Sequence, residues 1–282
     1  MIATAPVAAD GALRDREAAL FTRLRTLSSL VVAYSGGVDS AFLAWAAAEV
    51  LGDRALSVTA DSASYPGRHR SMALEVARRF QLQHEIIHTA ELQRPEYRAN
   101  APDRCYHCKH ELYSHLVRLA ADRGFAAVAD GSNADDRGDY RPGRRAAREF
   151  GVISPLDEAG LTKADIRALS QQAGLPTWDE PASACLSSRI PYFSEVNETK
   201  LHAIEAAEAA MRELGFRIIR VRHHGDVARI EVSRAELSRL LDADMSRAVD
   251  AAVRAAGFKY VAVDLRGYRL GSLNDGLTLT AI

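Results

Sequence analysis

The chain has 282 residues, of which 48% are hydrophobic and 26% are charged, a composition typical of globular proteins rather than disordered or collagen-like chains. Its 36 Lys and Arg residues nearly balance its 37 Asp and Glu residues, so the formal net charge is -1 and no overall field draws the chain to nucleic acid or to an anionic membrane. The longest strictly apolar run, residues 41–48, is far shorter than the roughly 18 residues of a membrane span. The first residues also lack the apolar segment of a secretory signal, so we expect a cytoplasmic protein without nucleic-acid or membrane partners.

Short apolar runs alternate with amphipathic segments in the first half of the chain. Strands are predicted at residues 30–34, 55–60, 85–88 and 125–129, and helices from residue 41, at 68–80 and at 111–122. Because strands that alternate with helices form parallel sheets, we expect an α/β domain with helices on both faces of the sheet. Residues 130–143 follow as a loop, rich in Gly and Asp, that is long enough to be functional.

The second half contains an irregular segment and then a smaller predicted domain. Thr162 caps a helix that is predicted to end near Gln172, and residues 177–191 show no clean period, which indicates an active-site loop. From residue 195 onward the sequence predicts a long helix, two short helices, and strands at 216–221, 227–232 and 260–264. We therefore expect an α/β domain over residues 1–193 and a smaller α+β domain over residues 194–282.

The strongest chemical signal is a glycine-containing loop between a predicted strand and a predicted helix. Its sequence is Ser35-Gly36-Gly37-Val38-Asp39-Ser40. Two glycines let backbone N–H groups approach an anion closely, the helix directs its positive end at the same anion, and Asp39 can hold a divalent cation. The spacing of a Walker loop is absent, so we interpret the segment as a phosphate-binding loop without a lysine of its own. The alternative is a plain Gly-Gly turn.

This loop, placed after a hydrophobic strand, resembles the pyrophosphate-binding loop of N-type ATP pyrophosphatases. Residues 154–156 and 163–167 (KADIR) are similar to a segment of NAD synthetases and GMP synthetases. The resemblance implies a parallel-sheet ATP pyrophosphatase domain that cleaves ATP between its α and β phosphates and activates a carboxylate or carbonyl group as an adenylate.

Nearly the whole chain resembles the LarE family of ATP-dependent sulfur transferases, which make the organic part of the nickel-pincer nucleotide cofactor. The resembling segments are residues 35–40, 130–143, 181–191 (PASACLSSRIP), 220–231 (RVRHHGDVARIE) and 267–272. The resemblance implies that ATP and Mg²⁺ adenylate a small-molecule nucleotide, pyridinium-3,5-biscarboxylic acid mononucleotide. It further implies that Cys185 delivers sulfur to the adenylate and that the chain forms a homo-oligomer.

The three cysteines of the chain bear on how sulfur is supplied. In the sacrificial type that the resemblance implies, Cys185 forms a thioester and is cleaved to dehydroalanine. In the cluster type, three cysteines hold a 4Fe-4S cluster whose fourth iron carries a transferable sulfide. Cys105 and Cys108 form a Cys-x-x-Cys motif, the spacing that lets two thiolates face one metal centre. With Cys185 they favour the cluster type.

Other interpretations of these cysteines stay open. A structural zinc ion needs a fourth ligand, which His107 or His110 could supply. A redox Cys-x-x-Cys motif is less consistent with the predicted order of strands and helices. Three unrelated buried thiols are the remaining alternative.

Three arginines are candidate ligands for anions. Arg189, four positions after Cys185, is expected to stabilise either the thiolate or the phosphate of AMP, with an exposed surface arginine as the alternative. Arg220 and Arg222 alternate along a predicted strand and share one face, which suits an acceptor that carries phosphate and carboxylate groups. Glu231, on the next predicted strand, either orients one of these arginines or binds Mg²⁺.

Two further functions compete with sulfur transfer. A tRNA-thiolating or amide-forming ATP pyrophosphatase would share the glycine loop, although the balanced charge argues against a tRNA-binding face. A nucleotide-binding regulatory protein with a zinc site would bind ATP without releasing pyrophosphate. An assay for pyrophosphate separates this regulatory protein from the enzymes.

Overall fold

The computed structural model describes residues 7–138, 142–181, 184–269 and 272, and these residues form two compact units. The first unit contains the described residues up to Glu91 and those from Asp103 to Pro181. The second unit contains the segment Leu92–Pro102 and the described residues from Ala184 onward. The division therefore differs from a single boundary after residue 193, because residues 184–193 and a segment from the first half group with the second unit.

The helices and strands are numbered in chain order. The helices are α1 (Val7–Arg25), α2 (Val38–Leu51), α3 (Gly67–Arg79), α4 (Pro95–Arg98), α5 (Arg104–Arg123), α6 (Pro142–Glu149), α7 (Pro155–Glu158), α8 (Lys163–Gln172), α9 (Glu198–Glu213), α10 (Leu237–Leu240) and α11 (Ala243–Ala255). The strands are β1 (Leu30–Ala33), β2 (Ala55–Asp61), β3 (His84–His88), β4 (Ala127–Ala129), β5 (Ile219–His224), β6 (Val227–Val232) and β7 (Tyr260–Val263).

The first unit is built on a parallel sheet with the strand order β3-β2-β1-β4. Successive residues of β1 point to opposite faces of the sheet. Leu30 and Val32 pack into a core with residues of α1, α2, α3 and α8, whereas Val31 and Ala33 pack into a second core with residues of α5 and α6. Helices thus cover both faces, and the predicted α/β class is confirmed.

The second unit contains a separate mixed sheet with the strand order β5-β6-β7. Strands β5 and β6 are antiparallel and are joined by a turn at Gly225, whose φ of 64° suits glycine. Ile219, Val221 and Ile230 are buried on one face, where α9 contacts β5 and α11 contacts β7. The smaller predicted α+β domain therefore exists, and it takes in more of the chain than its predicted range.

The segment Leu92–Pro102 packs against residues 187–196 within the second unit. Tyr97 is fully buried, and its hydroxyl lies 2.6 Å from Ser187 Oγ. Asn100 is also fully buried and donates from Nδ2 to the carbonyls of Pro191 (2.7 Å) and Ser194 (3.1 Å). These bonds explain why the segment leaves the unit that contains its sequence neighbours.

Helix boundaries differ from the predictions where local signals are weak. The helix predicted at 111–122 begins seven residues earlier, at Arg104, because Cys, His and Tyr in its first turns have only moderate helix propensity and gave no start signal. Helix α1 was not predicted, and α6 begins at Pro142, inside the segment 130–143 that was expected as a loop. Helix α8 begins after Thr162 as expected, with a complete capping box between Thr162 and Asp165.

Candidate functional site

The glycine loop connects β1 to α2 and is held by short hydrogen bonds. Ser40, in the first turn of α2, accepts at Oγ from the backbone N–H of Ser35 and donates to the carbonyl of Gly37, both at 3.1 Å. Ser35 Oγ lies 3.1 Å from the same hydroxyl. These bonds fold the loop over the start of α2, where unpaired backbone N–H groups and the helix dipole favour an anion.

Two glycines are required by close packing around this loop. Gly36 has a φ of 66°, and a Cβ atom there would lie 2.8 Å from Ala73 Cβ. Gly131, just after β4, is also closely packed, because a Cβ atom there would lie 3.0 Å from the backbone nitrogen of Ser40. The start of the 130–143 segment therefore packs directly against the glycine loop, which makes the two predicted segments parts of one site.

The structure brings a lysine to this loop from a distant part of the chain. Lys163, the first residue of α8, donates from Nζ to Asp39 Oδ2 across 124 positions of sequence. Both side chains are partly exposed, at 32% for Lys163 and 22% for Asp39. The loop thus gains the phosphate-binding type of side chain that its own sequence lacks. The capping box at Thr162 was visible in the sequence, but nothing local linked the next residue to Asp39.

Asp39 has the chemistry of a ligand for a divalent cation. Burial raises its pKa above the usual range, and although Lys163 opposes this effect, the net shift remains upward. Its Oδ1 atom is buried and has no hydrogen-bond partner among the described residues. A buried carboxylate oxygen without a protein donor is costly unless another group binds it, and Mg²⁺ prefers such oxygens. The site therefore fits the predicted Mg²⁺.

Asp130 fixes the end of β4 beside the glycine loop. Its Oδ2 accepts from the hydroxyls of Tyr113 (2.7 Å) and Ser132 (3.0 Å), and its Oδ1 accepts from Ser154 Oγ (2.8 Å). Because both oxygens are occupied by protein donors, Asp130 supports the loop rather than a metal ion. Tyr113 belongs to α5, so the same hydrogen bonds hold this helix to the end of the sheet.

Cys105 and Cys108 lie in the first turns of α5, upstream of Tyr113. Neither cysteine forms a disulfide bond, and Cys105 is exposed whereas Cys108 is partly buried. Residues three apart on a helix are neighbours on its surface, so this donor set fits two ligand positions of one metal centre. Cys185, the third predicted ligand, is a partly buried free thiol of the second unit. The cluster of three cysteines stays a prediction.

The histidines proposed as zinc ligands have other contacts. His107 Nε2 lies 3.4 Å from an oxygen of Asp103. The ring of His110 packs edge-on against Phe150, with a centroid separation of 4.9 Å. At about 100° per residue, His110 points about 140° around the helix from Cys105. Its position on α5 therefore disfavours a zinc site that joins it to Cys105.

The segment with Cys185 forms a tight turn that Arg189 holds from within. Cys185 precedes a 3-10 turn at Leu186–Arg189. Arg189 is only 1% exposed, and its Nη1 donates to the carbonyls of Ala184 (2.7 Å) and Cys185 (3.0 Å). The surface-arginine alternative is therefore wrong. The contacts make Arg189 an anchor of the turn, whereas its predicted action on a thiolate or on AMP stays a prediction.

Glu208, in α9, is a residue that sequence analysis did not identify. Its carboxylate is buried and accepts from Arg189 Nε (2.8 Å) and Nη2 (3.1 Å) and from Arg212 Nη2 (3.0 Å). Burial alone would raise the pKa of Glu208, but Arg189, Arg220 and Arg212 outweigh it and the pKa is lowered. Glu208 therefore stays ionised at neutral pH. An acidic residue in an Ala-rich and Glu-rich helix carried no signal that it would be buried.

Arg220 and Arg222 share one face of β5, as predicted, but both are buried, at 7% and 5% exposure. Arg222 donates to Glu231 Oε2 (2.8 Å) and to the carbonyl of Ser188 (2.8 Å). The expectation that Glu231 orients one of the arginines is confirmed. The guanidinium of Arg220 lies 4.9 Å from the ring centre of Tyr268.

The charge of Arg220 persists despite its burial. Burial lowers its pKa to about 10, and the nearby Arg189 adds to the effect. The side chain is therefore still cationic at neutral pH. Binding of an acceptor by Arg220 and Arg222 stays a prediction, since the contacts seen for both are internal to the protein.

Among the residues described, none of the helices combines the length and the apolar character needed to cross a membrane. No protein-family model matches the chain.

Three curated proteins are similar to the chain over most of its length. An uncharacterized protein of Synechocystis sp., slr1717, is 42% identical over 253 residues, which cover 89% of this chain and 94% of that protein. The pyridinium-3,5-bisthiocarboxylic acid mononucleotide synthase of Lactiplantibacillus plantarum is 38% identical over 267 residues, or 94% of this chain and 96% of the synthase. An uncharacterized protein of Methanocaldococcus jannaschii, MJ0830, is 28% identical over 85% of this chain and 90% of its own length. With this identity to the synthase over almost its full length, the chain belongs to the LarE family.

Proposed function

We propose that this protein is an ATP-dependent sulfur transferase that converts the carboxylates of pyridinium-3,5-biscarboxylic acid mononucleotide to thiocarboxylates. The name of the Lactiplantibacillus relative, a synthase of the bisthiocarboxylic acid mononucleotide, supports the product. The observation that carries the ATP-dependent step is the contact between Lys163 and Asp39 at the glycine loop. This contact places a cation and a carboxylate where a strand and a helix meet, as a magnesium-bound triphosphate requires.

In the first step, a substrate carboxylate attacks the α-phosphorus of ATP and pyrophosphate leaves. The backbone N–H groups of residues 36–40 and the ammonium of Lys163 would bind the departing phosphates, whose negative charge grows as the bond breaks. Asp39 would hold Mg²⁺, which neutralises the phosphates when bound. The product is a mixed anhydride with AMP, which is reactive toward a sulfur nucleophile.

In the second step, sulfur replaces AMP on the activated carbonyl. In the sacrificial route, the Cys185 thiolate would attack that carbon and release AMP, because a thiolate is a strong nucleophile at neutral pH. A base would then remove the Cα proton of residue 185 as the Cβ–Sγ bond breaks, so that the thiocarboxylate leaves with the sulfur and dehydroalanine remains at position 185. A 4Fe-4S cluster held by Cys105, Cys108 and Cys185 would instead supply a replaceable sulfide, so that the cysteines survive. We favour the cluster route because of the paired thiols on α5.

The ATP-dependent step is tested by incubating the purified protein with ATP, Mg²⁺ and the biscarboxylic acid mononucleotide. We expect AMP and pyrophosphate in equal amounts, with formation that depends on the acceptor. Release of ADP and orthophosphate would contradict the proposal. Stimulation by tRNA or by ammonia in place of the mononucleotide would indicate the thiolating or amide-forming alternatives.

The sulfur source is tested on protein purified without oxygen. We expect bound iron, brown absorbance and several turnovers, all of which are lost in Cys105→Ala and in Cys108→Ala. If those variants still transfer sulfur while the wild-type Cys185 peptide shows the mass of dehydroalanine, the sacrificial route is correct.

A further inference from the structure

Three backbone carbonyl groups around Cys185 accept hydrogen bonds from buried arginine side chains. The carbonyls of Ala184 and Cys185 accept from Arg189 Nη1, at 2.7 and 3.0 Å. The carbonyl of Ser188 accepts from Arg222 Nη1 at 2.8 Å. These bonds leave the turn little freedom, because each of the two arginines is itself buried and held in place by a carboxylate.

Glu208 is the group that holds Arg189. Its two oxygens accept from Arg189 Nε and Nη2, at 2.8 and 3.1 Å, in a bidentate pair. Both side chains are 1% exposed, so water cannot replace either partner. Glu208 Oε1 also accepts from the backbone N–H of Val221, at 3.2 Å. The carboxylate thereby joins α9, β5 and the Cys185 turn.

Arg212 is a second arginine that binds Glu208. It reaches Glu208 Oε2 at 3.0 Å from the next turn of the same helix, with a side chain that is 30% exposed. Among the described residues, the side chains that donate to the carbonyls of residues 184, 185 and 188 are those of Arg189 and Arg222, and not that of Arg212. Arg189 and Arg212 therefore share a carboxylate but differ in whether they contact the Cys185 turn.

We infer that Glu208 is a positioning residue for the Cys185 sulfur and acts through Arg189, which it orients toward the carbonyls of Ala184 and Cys185. The bidentate pair fixes the guanidinium plane, and the guanidinium then fixes the turn. The effect of Glu208 on sulfur transfer rests on the proposed function, whereas its effect on the accessibility of the Cys185 thiol can be measured independently. Loosening of the turn should expose a thiol that is now partly buried and should also misplace it for transfer.

The test compares the variants Glu208→Gln and Arg189→Lys with Arg212→Lys as the matched control. Each full-length protein is reduced and treated with EDTA so that its thiols are free, and is then alkylated with iodoacetamide. Mass spectrometry of the separate peptides gives the rate at Cys185 and, as an internal reference, the rate at Cys105, which lies in the other unit. Sulfur transfer and AMP formation are measured on parallel samples.

We expect alkylation of Cys185 to accelerate about tenfold in Glu208→Gln and in Arg189→Lys, the factor that corresponds to one lost hydrogen bond to a charged group. The rate at Cys105 should stay the same in all proteins, and Arg212→Lys should match the wild type. Sulfur transfer should slow while the KM for ATP is unchanged. A general loss of stability of α9 would instead accelerate the alkylation of Cys185 in Arg212→Lys as well.

Three results would overturn the inference. Unchanged alkylation in both test variants would show that the turn does not depend on the pair. Slower alkylation would show that Arg189 activates the thiolate directly, and an equal response of Arg212→Lys would assign the effect to α9. If Glu208→Gln fails to fold, Arg189→Met combined with Glu208→Gln removes both charges together, which buried pairs commonly tolerate. A wild type that forms no AMP contradicts the proposed function but leaves the alkylation result intact.

Discussion

Lys163 Nζ donates to Asp39 Oδ2, so the first residue of α8 contacts the loop after β1. Lys163 is one of only four lysines in the chain, which are Lys109, Lys163, Lys200 and Lys259. The contact couples the glycine loop to a helix whose start is set by its own capping box. The position of the ammonium group is therefore determined before any phosphate binds.

Replacement of this lysine should impair ATP cleavage without unfolding the protein. For Lys163→Ala we expect kcat/KM for ATP to fall about ten- to a hundredfold, as for the loss of one charged contact to phosphate. The thermal midpoint should change little, because the side chain is 32% exposed and exposed ion pairs contribute little stability. Lys259→Ala, which removes an exposed partner of Asp226 in the second unit, is the control and should retain wild-type kinetics. An equal loss in both variants would contradict the role of Lys163.

Asp39 should make stability depend on pH in the direction opposite to an ordinary salt-bridged carboxylate. Burial raises its pKa in the folded protein above the usual 3.8, so the folded state binds this proton more tightly than the unfolded state. Ionisation of Asp39 therefore costs stability as the pH rises from below 3.8 through the raised folded pKa.

The variant Asp39→Asn cannot ionise and escapes this cost. The stability of Asp39→Asn relative to the wild type, measured as the difference in the free energy of unfolding, should therefore increase from acidic to neutral pH. Urea unfolding of both proteins at several pH values checks the direction, and a constant difference would contradict it. The same variant should lose most of its Mg²⁺-dependent AMP formation, because the amide is a weaker ligand for the cation.

The neighbouring glycines of the loop should respond differently to alanine. At Gly36, the φ of 66° and a Cβ atom 2.8 Å from Ala73 Cβ predict a loss of about 2 kcal/mol or more. At Gly37, φ is -75° and an added Cβ atom would lie 3.6 Å from Ser35 Oγ, so Gly37→Ala should change stability by less than about 0.5 kcal/mol. Thermal unfolding without ATP measures both. Equal destabilisation would contradict the close packing of Gly36 on α3.

Loss of Arg222 should act on the fold as well as on any bound acceptor. Arg222→Ala removes a partner of Glu231, which is fully buried and keeps Arg229 at 3.0 Å. We expect a loss of about 3 kcal/mol, since a buried carboxylate is left with fewer donors. Arg247→Ala, which removes an exposed pair with Asp244, should change stability by less than about 0.5 kcal/mol. Chemical denaturation compares the two. A wild-type stability for Arg222→Ala together with weakened acceptor binding would support the direct role first expected from its strand position.

The sequence alone predicted the elements whose signals are local. The apolar runs gave the four parallel strands to within a few residues, and strand β6 was predicted with the bounds that the structure shows. The glycine loop and the cap at Thr162 were identified because each motif spans only a few positions. Such signals arise from backbone conformation and periodicity, which neighbouring residues determine.

Only the tertiary structure revealed which charged side chains are buried and what they contact. The sequence predicts that Arg189 binds an anion, with a surface arginine as the alternative, and it gives no signal for Glu208, yet both residues are 1% exposed and bound to each other. Likewise, no residue close to Asp39 in the sequence indicates that Lys163 contacts its carboxylate. The sequence by itself therefore determined the α/β order and the loop chemistry, which depend on local periodicity. The partners of each charge depended on the packing of segments far apart in the chain, because a charge can be buried only where folding supplies its counter-charge.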